Sequence, residues 1–380
     1  MAASHPIVRR TSASWAINSA DAALAVAYLV SHRRHRYKCG QRSNHACLRV
    51  SRSARAPVTN DELSSPPVCD MASFEVPVRS GASTISLKRL MGKSQHMDGT
   101  SLPVFRPAVL IVHGAAGLSS CCIESLADRL CLQIGNTCYL YNQLGCGLPN
   151  CHTLKHSVRD LEEILEFLQE KLGEVEVHLV GHGFGGVVLM EALLRHQLWG
   201  QVAPGLPSNL HLPKLQSICL IGTPSSTGIL RSESCKLLKE ATKVAGRARA
   251  VEYFWHQHLN SGVSTLAEAY MTSSWQPWNH WVMRGWEMRR EEVAQQYLLA
   301  TRGVPFLSAR GERDFVTNRC MEAWQGVGDA FATNRHVNGS QGFFQEEQLM
   351  NCGHNAHLED PEACASLIGD WLSSVEVSRD

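Results

Sequence analysis

No Cys-x-x-Cys pair occurs anywhere in this 380-residue chain, although it holds 14 cysteines. Scattered spacing matches neither a zinc site nor a disulfide framework, and a chain of this length can build a core without staples. The cysteines therefore read as free thiols in a reducing compartment, with no metal implied. Acid is nearly missing from one end: the first 60 residues carry ten Lys and Arg against a single acid, Asp21. Subtracting these from the chain totals of 36 and 35 leaves 26 basic and 34 acidic residues in the rest. A mildly acidic body argues against nucleic acid as the main partner. Long apolar runs are missing too. The longest in the leader, residues 22–30, falls far short of the ~20 residues that a membrane-spanning helix needs, and nothing after residue 71 resembles a span.

What is present at the start is Arg, Ser and Ala. Residues 1–70 read as a targeting leader, and this composition fits a transit peptide for a chloroplast or mitochondrion. A secretory signal is the second reading, with Arg9 and Arg10 ahead of the apolar run but Asn18 and Asp21 against it. A third is an untargeted leader of a cytoplasmic protein, because Met71 stands where folded-looking sequence begins.

From there the pattern alternates. Two short strands, SFEVPV and STISLKRL, precede a buried-strand run, AVLIVHGAAG. A helix over residues 123–134, a strand in NTCYLYNQLGCG and a long amphipathic helix in HSVRDLEEILEFLQEKLG follow, the last with Val158, Leu161, Leu165 and Leu168 on one face. VEVHLVGHG, KLQSICLIGTP and VPFLSARGERD are further strands, a helix spans residues 185–196, and another begins near Pro361. Such alternation predicts a parallel sheet covered on both faces. Residues 225–301 break the rhythm. They are helical in pattern and rich in tryptophan (Trp255, Trp275, Trp278, Trp281, Trp286), which predicts a cap inserted between residues 71–224 and 302–380 of the core.

Chemistry in a parallel sheet gathers at the carboxyl ends of the strands. In chain order those ends carry His113-Gly114-Ala115-Ala116-Gly117, then Gly145-Cys146-Gly147, then Gly181-His182-Gly183-Phe184-Gly185, then Asp314 and His354. Turn, acid, histidine is the order of the α/β-hydrolases, whose elbow reads G-x-S-x-G. From about residue 76 to 372 the chain resembles that family, and within it the proline iminopeptidases (prolyl aminopeptidases). LYNQLGCG is similar to their D-Q-x-G-x-G stretch, and ARGERD and GHNAHLEDPE to their acid and histidine motifs. The resemblance implies an α/β-hydrolase fold with a mostly parallel sheet and a helical cap, no cofactor and no metal, and a small molecule or short peptide as substrate. It also implies that Asp314 orients His354, and that backbone N–H groups near Ala115 and at Phe184 form an oxyanion hole. His182 and His357 read as structural.

Two positions depart from the family. The nucleophile position is Gly183, and Asn142 stands where an acid is expected, which removes a charge that could meet a cationic substrate. Glycine accepts the strained, positive-φ tip of an elbow almost freely, whereas another residue is strained there by about 1–3 kcal/mol. Loss of a triad serine costs roughly 10⁶ in kcat and leaves about 10³–10⁴ over water. Three readings stay open on the sequence. One is a hydrolase of N-terminal prolyl or other small amide or ester bonds, working through water. The second is a non-catalytic protein that binds a ligand in the pocket. The third is a cofactor-free lyase or oxygenase using the His354–Asp314 pair as base.

Overall fold

The computed structural model describes residues 69–92, 106–114, 120–144, 153–195, 211–259, 286, 304–338 and 343–377. The leader lies outside them except for Cys69 and Asp70. So do Ala115, Cys146 and the part of the expected cap from residue 260 to 301, Trp286 excepted.

Among the described residues eight strands form one sheet: β1 (Asp70–Val78), β2 (Ser83–Met91), β3 (Ala108–Val112), β4 (Cys138–Tyr141), β5 (Glu176–His182), β6 (Lys214–Ile221), β7 (Phe306–Gly311) and β8 (Phe344–Leu349). Their spatial order is β1-β2-β4-β3-β5-β6-β7-β8. The β1–β2 and β2–β4 pairs are antiparallel, and every later pair is parallel. Position in the sheet explains the composition of each strand. Central β3 is AVLIV and wholly buried, as a strand covered on both faces must be. Edge strand β8 is FQEEQL and only its last residue is buried.

Helices join the parallel strands. In chain order they are α1 (Glu124–Ile134), α2 (Leu154–Leu172), α3 (Phe184–Arg195), α4 (Thr227–Ala245), α5 (Ala250–His258), α6 (Asn318–Asn338), α7 (Ala356–Glu359) and α8 (Pro361–Val377). The amphipathic pattern read in the sequence is α2. Thr153 caps it by accepting from the His156 N–H, Gly173 at φ 74° ends it, and Val158, Leu161, Leu165 and Leu168 are buried against the sheet. The helix predicted over 123–134 is α1, and a single 3₁₀ turn, Ser120–Cys122, precedes it. Both described helices of the tryptophan-rich segment, α4 and α5, follow β6. Trp255 on α5 is fully buried beside Phe254 and Phe315, with ring centroids 5.0 and 5.6 Å away.

Candidate active site

Strand β5 leads straight into α3 through one residue, Gly183, which has φ 50°. The turn is tight because α3 crosses close under β3: a Cβ on Gly185 would stand 2.2 Å from the carbonyl oxygen of Val112. Gly183 donates its N–H to the Ile221 carbonyl at 2.9 Å, which ties the tip to β6. Phe184 opens α3, so its own N–H has no acceptor within the helix, and a helix N-terminus favours an anion or polarised carbonyl.

Facing this tip is His354, from the loop after β8. Its Nδ1 lies 2.9 Å from Asp314 Oδ1, and both residues are buried, each 4% exposed. Asp314 follows β7, and the same Oδ1 accepts the Val316 N–H at 2.8 Å. With Nδ1 donating to the carboxylate, the basic lone pair of the ring sits on Nε2. That nitrogen points at the elbow: a Cβ with ideal geometry on Gly183 would lie 3.3 Å from His354 Nε2 and 3.9 Å from the Cα of Gly114. Base, tip and the start of the β3 loop thus converge on one spot.

The histidine loop is gripped from both sides. His354 donates its N–H to the carbonyl of His258 at the end of α5 (2.9 Å), and its carbonyl lies 3.0 Å from His182 Nε2. Phe315 covers the ring, with centroids 4.3 Å apart. His182 donates Nε2–H to that carbonyl, so its Nδ1 is the unprotonated nitrogen, and burial pulls the ring down to about 3. His357 is wholly buried with its ring 4.4 Å from that of His182. Neither of its nitrogens has a hydrogen-bond partner among the described residues, and burial lowers it well below the usual range.

His113 secures the β3 loop. The Gln143 N–H donates to its Nε2 at 3.0 Å, so Nδ1 carries the proton and donates to Gly114 O at 2.6 Å. Gln143 closes the link by donating its side-chain N–H to His113 O at 2.6 Å, and burial lowers the His113 ring to about 4. Asn142 is also engaged, its Oδ1 accepting the Ser120 N–H at 2.7 Å ahead of α1. Among the described residues no group of His, Cys, Asp and Glu is arranged to hold a metal ion.

Residues 109–367 match the model of the Alpha/beta hydrolase family. The chain belongs to that family. Within it, the chain is similar to a proline iminopeptidase of Lactobacillus helveticus (strain DPC 4571), 24% identical over 296 residues that cover 70% of this chain and 90% of that protein. A shorter stretch of 120 residues is 32% identical to the proline iminopeptidase of Lactobacillus delbrueckii subsp. lactis, covering 30% of this chain and 39% of that one. Among solved structures, a proline iminopeptidase of Mycobacterium smegmatis superposes with TM-score 0.56 at 18% identity, covering 81% of this chain and 100% of that one. VinJ superposes with TM-score 0.55 at 19% identity, covering 80% and 99%. These two likenesses establish the fold of this hydrolase-family chain.

Of the residues picked from the sequence, Gly183, Phe184, Asp314 and His354 come together, and Ala115 lies outside the described residues next to Gly114, which is in place. Sequence reading missed His258 and Phe315 as neighbours of His354. Phe315 follows Asp314 directly, so its placement beside the acid was available. His258 ends helix α5, 96 residues before His354, and no local pattern points to it.

Proposed function

We propose that this chain is a hydrolase of the proline iminopeptidase type that cleaves an N-terminal prolyl bond or a small amide or ester by direct attack of water. The observation that carries this reading is the aim of His354 Nε2 at the space over Gly183, where a Cβ would stand 3.3 Å away. A water in that space gives its proton to Nε2 as its oxygen bonds to the substrate carbonyl carbon. Backbone N–H groups at Phe184 and near Ala115 stabilise the oxyanion, and His354 returns the proton to the leaving nitrogen or oxygen as the bond breaks. Asp314 holds the ring in the required tautomer and balances the imidazolium. Without a covalent intermediate the rate stays near that of a triad enzyme stripped of its serine, about 10³–10⁴ over water.

Intact mass measured during turnover of a short acyl ester tests this. Product should accumulate with no acyl group on the chain. An acyl adduct, or no product at all, would overturn direct hydrolysis.

A second reading, ligand binding without turnover, is favoured by Asn142. It carries no charge for a substrate ammonium group, and its oxygen already serves the Ser120 N–H. Stabilisation by a non-hydrolysable prolyl amide with no turnover of its ester would support that reading.

A further inference from the structure

Away from the elbow, three thiols meet at the end of β2. Leu90 of β2 pairs with Met71 of β1 on one side and with Cys138 of β4 on the other. Cys131 comes down from α1 with its Sγ 3.2 Å from Leu90 O, while Cys69, just ahead of β1, has its Sγ 3.7 Å from the carbonyl of Asp128 on the same helix. The chain passes close enough for this only because residue 92 is glycine; a Cβ there would stand 2.6 Å from Cys131 O. Cys69 Sγ thus rests on the turn of α1 that carries Cys131, and the Cys131 sulfur rests on the residue that pairs with Cys138. All three are free thiols. Thiol–disulfide exchange, sulfur on sulfur, is chemistry open to them.

We propose that Cys69 and Cys131 form a reversible thiol–disulfide exchange site whose co-reactant is a small disulfide of the glutathione class. The two differ in access. Cys131 and Cys138 are 1% and 0% exposed, whereas Cys69 is half-buried and is the sulfur that a solute reaches. The Cys69 thiolate attacks one sulfur of oxidised glutathione, the S–S bond breaks, a mixed disulfide forms on Cys69 and one glutathione thiolate leaves and takes a proton. Cys131 then gives up its proton and attacks Cys69 Sγ, which forms the intramolecular bond and expels the second glutathione. Two electrons and two thiol protons have passed from the protein to the glutathione disulfide. The product pins the start of edge strand β1 to α1.

The surroundings set the rates of the two steps. Burial, with the Cys131 and Asp128 charges nearby, pushes Cys69 up to about 11, so the first attack is slow at neutral pH and quickens about tenfold per pH unit below that value. Hydrogen bonds from the neighbouring thiols, led by Cys138, lower Cys131 despite its burial and favour the second attack.

The test uses the full chain, reduced, exposed to oxidised glutathione, quenched by acid and alkylation, and mapped by peptide mass. The expected result is a Cys69–Cys131 cross-link that disappears on adding thiol and raises the thermal midpoint by at least about 3 °C. Cys131→Ser should halt with glutathione on Cys69, and Cys138→Ser should still form the link. The proposal is overturned if Cys69 stays unmodified, if the natural chain keeps glutathione on Cys69, or if Cys131 links to Cys138 instead.

Discussion

Gly183→Ser should give this chain a nucleophile at a measurable cost in stability. The tip has φ 50°, a conformation that strains a residue bearing a Cβ by about 1–3 kcal/mol. The new Cβ would also press on His354 Nε2 at 3.3 Å, so the ring must give by a few tenths of an ångström. For a folded body of this size the combined cost lowers the thermal midpoint by roughly 2–10 °C. The gain is far larger. Removing a triad serine loses roughly 10⁶ in kcat, so restoring one opposite an aligned base should raise hydrolysis of a short acyl ester by at least about 10³-fold. Gly183→Ala supplies the control, with the same loss of stability and no gain in rate. Ester turnover and thermal unfolding of all three proteins give the answer. A folded serine variant that hydrolyses within about tenfold of the natural chain would refute the geometry, because it would mean that Nε2 does not reach the nucleophile.

Other predictions concern the shell around the dyad. His113 and His182 are held neutral at about 4 and about 3, against about 6.5 in the unfolded chain. Below 6.5 the unfolded chain therefore binds more protons. Their contribution is complete above about pH 6.5 and is lost as pH falls towards 4, about 2 kcal/mol each by pH 5; urea midpoints across this range should fall, and an unchanged midpoint would contradict the burial argument. His357→Leu removes two buried, unpartnered nitrogens and should stabilise the fold by about 1–2 kcal/mol, with a shallower loss on acidification; a destabilised variant would point to a partner for the ring. Asn142→Ala frees the Ser120 N–H and should cost about 1 kcal/mol in unfolding free energy, whereas Asn142→Asp keeps the acceptor and should change stability little.

Much of the fold could be read from the sequence, because the central strands are continuous apolar runs whose glycine-rich ends fall at the carboxyl edge of the sheet. Strand β8 could not. FQEEQL has neither an apolar run nor a regular alternation, and it is a strand because β7 offers it a parallel edge along six residue pairs. Helix α6 escaped for a related reason. It contains Gly326 and Gly328, which weaken its local signal, yet a Cβ at Gly328 would run into the ring of Phe344 on β8, 2.6 Å away. That contact crosses two elements and leaves no local mark. The same division holds at the site. Gly183, Asp314 and His354 were legible from their order along the chain. The Asn142–Ser120 bond spans 22 residues and the clamp from His258 joins two separate elements, so neither partner could be named before the fold brought them together.

The central claim is that His354 is the working base of a site without a side-chain nucleophile. It is tested most directly by kcat/KM of the natural chain and of His354→Ala on one short acyl-ester reporter, with thermal unfolding to confirm that both are folded. The account predicts slow hydrolysis by the natural chain and a fall of at least about 10²-fold in the variant. Equal rates in the two folded proteins would contradict it.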